Sequence, residues 1–283
     1  GGGNGGGGGS GQRQGPSSTI PAPTVRTRLV RLYSVVTPIE GGLYGDLLPD
    51  FEHRTGYQVK LTGASPDSYG PARAGKADVV ISHYGHKELE AFVSDGYGSW
   101  PQTVFFNPMA LLGPPSDPAA VRGLTDGAEA FRRIAATRAP FVVNNIEGVK
   151  YLGDIFWNAA GNPDRTGWYQ DRGLHEKAAI TSAAQQNGYV FWGLTPFLTA
   201  QQHDPVSLEP MVLEDPLLQR IMVSVGVTTK HTSGINTHGA AAFQQYLLEP
   251  RTQARIRAFR YPGISQQIWW PAGRNNAAVF LPH

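Results

Sequence analysis

The stretch Ser34–Gly56 carries the clearest chemistry in this chain, because it reads as a strand end, a tight loop, one amphipathic helix and a glycine stop. The first N–H groups of a helix lack intrahelical acceptors and carry the positive end of its dipole, so such a loop is a ready anion site. Thr37 stands before the helix and can donate to an anion there; the plain alternative is that its hydroxyl caps the helix. Residues able to do catalysis are scattered. His175 and Glu176 offer an acid and a base, and His83 and His86 have an i,i+3 spacing compatible with a metal, but no two-histidine motif with a third ligand accompanies them. Ser82 lacks a Gly-x-Ser-x-Gly elbow. The sequence therefore assigns no catalytic residue, no metal ligand and no cofactor, and an enzyme is not the expectation.

The elements that must position these groups alternate between strand and helix. Arg28 to Val36 alternates apolar and polar residues as a strand, and Leu43 to Thr55 places Leu43, Leu47, Leu48 and Phe51 on one helical face. Strands are expected at 57–61, 77–82, 103–106, 109–112, 140–143 and 189–192, and helices at 87–94, 128–136, 147–160 and 174–186. This alternation argues an α/β fold with mainly parallel, mixed sheets and helices on both faces. Ligands of such folds sit at the carboxyl ends of the strands, and with two lobes the site falls between them.

Composition narrows the class. The 283 residues can bury a large core, and a net charge of +2 with no basic run interleaved with aromatics argues against nucleic acid. There is no cysteine, so disulfides, thiolate metal sites and thiol nucleophiles are excluded. No apolar run is long enough to span a bilayer.

Six collinear segments resemble the tungstate-type periplasmic solute-binding proteins over roughly residues 28 to 260. They are Ser34–Gly56; Ala77-Asp-Val-Val-Ile-Ser-His83; Phe92-Val-Ser-Asp-Gly-Tyr-Gly98; Asn107 with Leu111-Leu-Gly-Pro-Pro-Ser-Asp-Pro-Ala119; Ile134 to Val142; and Trp168-Tyr169 followed by Glu214-Asp-Pro-Leu-Leu218. The resemblance implies a type II periplasmic-binding-protein-like fold with a two-crossing hinge near Asn107 and Val223. Lobe 1 would take 28–107 and 224–262, and lobe 2 would take 108–223. It implies ligand-binding positions at Ser34, Thr37, Asn107, Asn144, Asn145 and Lys150, around a small oxyanion or carboxylate. The same alignment shows departures. Two hydroxyl positions of the first loop are Val35 and Val36, the arginine position of the second loop is Asn144, a serine position there is Gly148, and an Asp-Arg pair has become Trp192-Gly193. Glu147 would repel an anion, and a lone first-turn lysine such as Lys150 is more often solvated than ligating. The anion site is thus expected to be altered or vestigial, and substituting Asn144 by Arg with Gly148 by Ser is expected to raise oxyanion affinity.

The ends add two features. Residues 1–27 are rich in Gly, Ser and Pro and read as a flexible tether, as in a membrane-anchored lipoprotein of the periplasm or cell surface, or as a cloning linker. Residues 263–283 read as an extended tail whose Trp269, Trp270, Phe280 and Leu281 either meet a partner or fold back on their own lobe. Two functions follow. One is a solute receptor delivering to a transporter permease in the membrane; the other is an extrinsic structural subunit of a larger respiratory or photosynthetic membrane complex.

Overall fold

A computed structural model describes residues 20–64 and 67–272. The Gly-rich start of the expected tether, and the tail beyond Ala272 with Phe280 and Leu281, lie outside the described residues. The chain divides into two units, one running through Val104 and resuming over Met222–Ala258, the other taking Phe105–Ile221 and Phe259–Trp270.

The first unit begins with β1 (Leu29–Ser34), α1 (Thr37–Glu40), α2 (Leu43–Thr55), β2 (Gln58–Gly63), α3 (Tyr69–Arg73), β3 (Val79–His83) and α4 (Leu89–Ser94). Then β4 (Gln102–Gly113) leads into the second unit, with α5 (Gly127–Thr137), β5 (Phe141–Val142), α6 (Glu147–Ala159), β6 (Tyr169–Gln170), α7 (Glu176–Gln185), β7 (Tyr189–Gly193), α8 (Leu194–His203) and β8 (Glu209–Val212). The return strand β9 (Gln219–Gly226) is followed by α9 (Thr237–Leu248), α10 (Pro250–Ala258) and the short β10 (Trp270–Pro271).

In the first unit the strand order is β2-β1-β3-β9. β1 runs parallel to β2 and β3, and β9 pairs antiparallel with β3. The predicted helix over 43–55 forms with those bounds, because Leu43, Leu47 and Phe51 recur four apart and are all fully buried. Gly56 ends it at φ 85°, a left-handed conformation that glycine adopts without steric cost, and its N–H bonds the Glu52 carbonyl at 2.9 Å. Asp78 explains itself structurally. It is fully buried and accepts from Arg31 Nε at 3.1 Å, Arg31 Nη2 at 2.7 Å and the Asn236 N–H at 2.8 Å, tying β1, β3 and the start of α9 together.

In the second unit β5 is parallel to β6 and β7, while β4 pairs antiparallel with β7 and β8. The two strands expected at 103–106 and 109–112 form one strand, β4, because the ladder runs on past Pro108. The core gathers Phe131, Phe141, Phe156, Trp157 and Phe191, with Phe131 edge-on to Trp157 at 4.4 Å between centroids. The aromatic tail is not an exposed surface where it is described. Trp269 is fully buried edge-on to Phe105, and Trp270 stacks on Phe106. Two indoles bring enough apolar area to fold back on β4 rather than remain in water.

Candidate functional site

The first-unit loop after β1 is held by its own hydrogen bonds. Ser34 is fully buried, and its Oγ donates to the Val35 carbonyl at 2.9 Å and lies 2.7 Å from Tyr44 Oη, which joins the strand end to α2. Burial pushes the Tyr44 phenol well up, so it stays a neutral donor to that serine. Thr37 opens α1, a single turn with no side-chain cap, and its hydroxyl makes no hydrogen bond with the described residues. On β3, Ser82 Oγ lies 2.7 Å from Tyr69 Oη, whose pKa burial pushes up to about 12 against the lowering effect of that bond. His86 Nδ1 accepts the Glu88 N–H at 3.0 Å. Among the described residues no three His, Cys, Asp or Glu side chains are grouped to hold a metal.

In the second unit the carboxyl ends of the parallel pair β5 and β7 lead to the first turns of α6 and α8. Asn144 sits between them, only 2% exposed. Its Nδ2 donates to the Phe191 carbonyl at 3.0 Å and its Oδ1 accepts the Glu176 N–H at 2.9 Å, so one amide links the loop after β5, the strand β7 and the start of α7. That geometry alters the expectation for an arginine here. An arginine here would give up both bonds, so the Asn144→Arg exchange that the resemblance suggests would loosen the loop it was meant to improve. Asn145 donates its backbone N–H to Leu174 at 2.8 Å and leaves its side chain partly exposed. Lys150 pairs with Asp171 at 2.9 Å, both ends well exposed; the hydrogen bond to that carboxylate raises its pKa.

The start of α6 is open. Ile146, its N-cap, offers no side-chain acceptor, and the first helical bond is Lys150 N–H to Ile146 at 2.8 Å. The N–H groups of Glu147, Gly148 and Val149 therefore have no acceptor within the helix. Two further buried polar atoms here, Asn107 Oδ1 on β4 and Thr195 Oγ1 in the first turn of α8, lack hydrogen-bond partners among the described residues. Met109 pairs with Gly193, and these two residues lie two positions beyond that pair, so both fall at the carboxyl end of β7.

Sequence reasoning missed a cation. Arg220, the second residue of β9, is part-buried, and burial alone lowers its pKa, with no carboxylate acting on it. It makes no hydrogen bond or ion pair with the described residues. Its Nη2 stands 3.0 Å from where a Cβ of Gly148 would be, over the first turn of α6. The signal was present: Arg220 is the one charge in the run Gln219-Arg-Ile-Met-Val-Ser-Val-Gly226.

Residues 41–261 match the model of the family described as bacterial extracellular solute-binding protein. A Haloferax volcanii protein named as an ABC transporter anion-binding protein is 28% identical over 253 residues, covering 87% of this chain and 72% of its own length. The tungstate-binding protein TupA of Peptoclostridium acidaminophilum is 22% identical over 248 residues, covering 86% of this chain and 85% of its own. The solved structure of the tungstate-binding protein TupA from Desulfovibrio alaskensis shares the fold at a TM-score of 0.77 and 24% identity, over 87% of this chain and 99% of that one.

Proposed function

Because this chain belongs to the bacterial extracellular solute-binding protein family, we propose that it is the receptor of a binding-protein-dependent importer and that its solute is a small oxyanion of the tungstate and molybdate kind. The observation that carries the reading is the uncapped start of α6, which presents three N–H groups without helical acceptors at the carboxyl end of β5. The names of the two relatives, an anion-binding and a tungstate-binding protein, support the same solute class. The anion would accept those N–H groups, with Asn107 and Asn145 as the sequence-derived ligands of the same unit whose polar side chains are not committed elsewhere among the described residues. Asn144 and Lys150 already have internal partners, which supports the reading of an altered site. The membrane partner is a permease. A periplasmic or cell-surface location with a tethered N-terminus completes the proposal. No described helix is long and apolar enough to cross a membrane.

The alternative of a structural subunit in a larger membrane complex has weaker support, since Trp269 and Trp270, offered as a contact surface, are buried. The relatives are binding proteins, and no catalytic role is proposed. The test is calorimetry and thermal unfolding with tungstate, molybdate, sulfate and acetate. Tungstate and molybdate should bind and raise the melting temperature, since a ligand at a hundred times its Kd adds about 2.7 kcal/mol. Failure of every anion to bind at millimolar concentration would overturn the reading.

A further inference from the structure

We propose that Arg220 is the charged ligand of the bound anion, and that position 148 is glycine because the guanidinium occupies the space a side chain would take there. The inference rests on the reading of α6 as an anion site.

Geometry places the guanidinium. With Nη2 3.0 Å from an ideal Cβ of Gly148, its donors reach the first turn of α6, where the N–H groups of Glu147, Gly148 and Val149 lack helical acceptors. Electrostatics then makes the arrangement unfavourable when empty. A cation beside a helix N-terminus faces the positive end of the dipole, the reverse of the usual preference. A guanidinium drawn out of water is normally paired, and this one has no partner among the described residues. A purely structural arginine would be selected against on both counts. An oxyanion lying between the guanidinium and the helix start removes both costs, accepting paired donors from one side and backbone N–H groups from the other.

The neighbouring candidates do not compete for the role. Lys150, in the same first turns, is paired with Asp171, and both polar atoms of Asn144 are taken by Phe191 and Glu176. Gly148 is exposed, and helix propensity alone would favour almost any other residue there. The observed glycine is explained by what a Cβ would meet.

The variants Arg220→Met, Arg220→Lys and Gly148→Ala separate this role from a structural one. Each is measured by calorimetry with tungstate, molybdate, sulfate and acetate, and by thermal unfolding without ligand. Arg220→Met should lose affinity on the order of a hundredfold, as expected for charge-assisted bonds in a largely desolvated site, with an unchanged or raised melting temperature. Arg220→Lys should fall between, keeping the charge but losing the paired donors. Gly148→Ala, whose methyl group pushes Nη2 aside, should lose roughly tenfold while keeping its melting temperature, because alanine is the better helix former. If the wild type binds an oxyanion and Arg220→Met binds it within threefold, the inference is overturned and the receptor reading stands. If Arg220→Met is instead markedly less stable at unchanged affinity, the arginine is structural and the inference is again overturned. A wild type that binds none of the four anions refutes both.

Discussion

Replacing Asn144 with alanine removes a single amide that joins three elements. The variant leaves the Phe191 carbonyl and the Glu176 N–H without their bonds of 3.0 and 2.9 Å, at a position only 2% exposed. An unsatisfied buried group costs about 1–3 kcal/mol, so the pair amounts to roughly 2–6 kcal/mol. The Glu176 bond also caps the start of α7, and the cap loss of about 0.5–2 kcal/mol is a part of that total. For a chain of this size each kcal/mol lowers the melting temperature by roughly 2–4 °C, so a fall of about 4–24 °C is expected. Thermal unfolding followed by circular dichroism measures it, and hydrogen exchange should show the loosening concentrated in the first turn of α7. Oxyanion affinity of the folded variant should fall much less than in Arg220→Met. A melting temperature within about 2 °C of wild type together with lost affinity would refute the reasoning, since the amide would then be acting on the ligand.

Two further outcomes follow from the packing and the hydrogen bonds. Trp269→Ala should destabilise the chain by about 3–5 kcal/mol in urea, as for other large buried aromatics, and a loss below about 1 kcal/mol would mean that the indole is not core. Asp117 is acted on most strongly by burial, which raises its pKa, but the Tyr189 hydroxyl at 2.7 Å and the N–H groups of Arg122 at 2.9 Å and Val121 at 3.1 Å together hold it below its ordinary value of 3.8. A depressed folded value means stability that is complete above the unfolded value and lost as pH falls through the folded one. Asp117→Asn should therefore be less stable at pH 7 and show a flatter decline below about pH 4, measured by urea midpoints; parallel curves would contradict the assignment.

The sequence carries local structure in its periodicities, and those were readable. Leu43, Leu47 and Phe51 declared the buried face of α2, Gly56 its end, and the alternation of strand and helix the α/β class, because each of these is set by residues within one or two turns of each other. The collinear motifs likewise identified the family. What the sequence could not show was which polar side chains were already engaged. Ser34 is bound by Tyr44, ten residues away, and Asn144 by Phe191 and Glu176, far along the chain, so two residues that looked like ligands are held by internal bonds. Trp269 and Trp270 read as a tail until pairing with β4 put them against Phe105 and Phe106.

By itself, then, the sequence determined most of the elements and the fold class, since helix starts and apolar stripes are properties of short segments. Only the tertiary structure decided where the charge at the candidate site comes from. Gly148 and Arg220 lie 72 positions apart, on a helix and a strand with no shared periodicity, and the glycine's missing side chain acquires meaning only once the arginine stands against it. Burial, pairing and the cost of an unpaired cation are properties of the folded arrangement, and no local pattern records them.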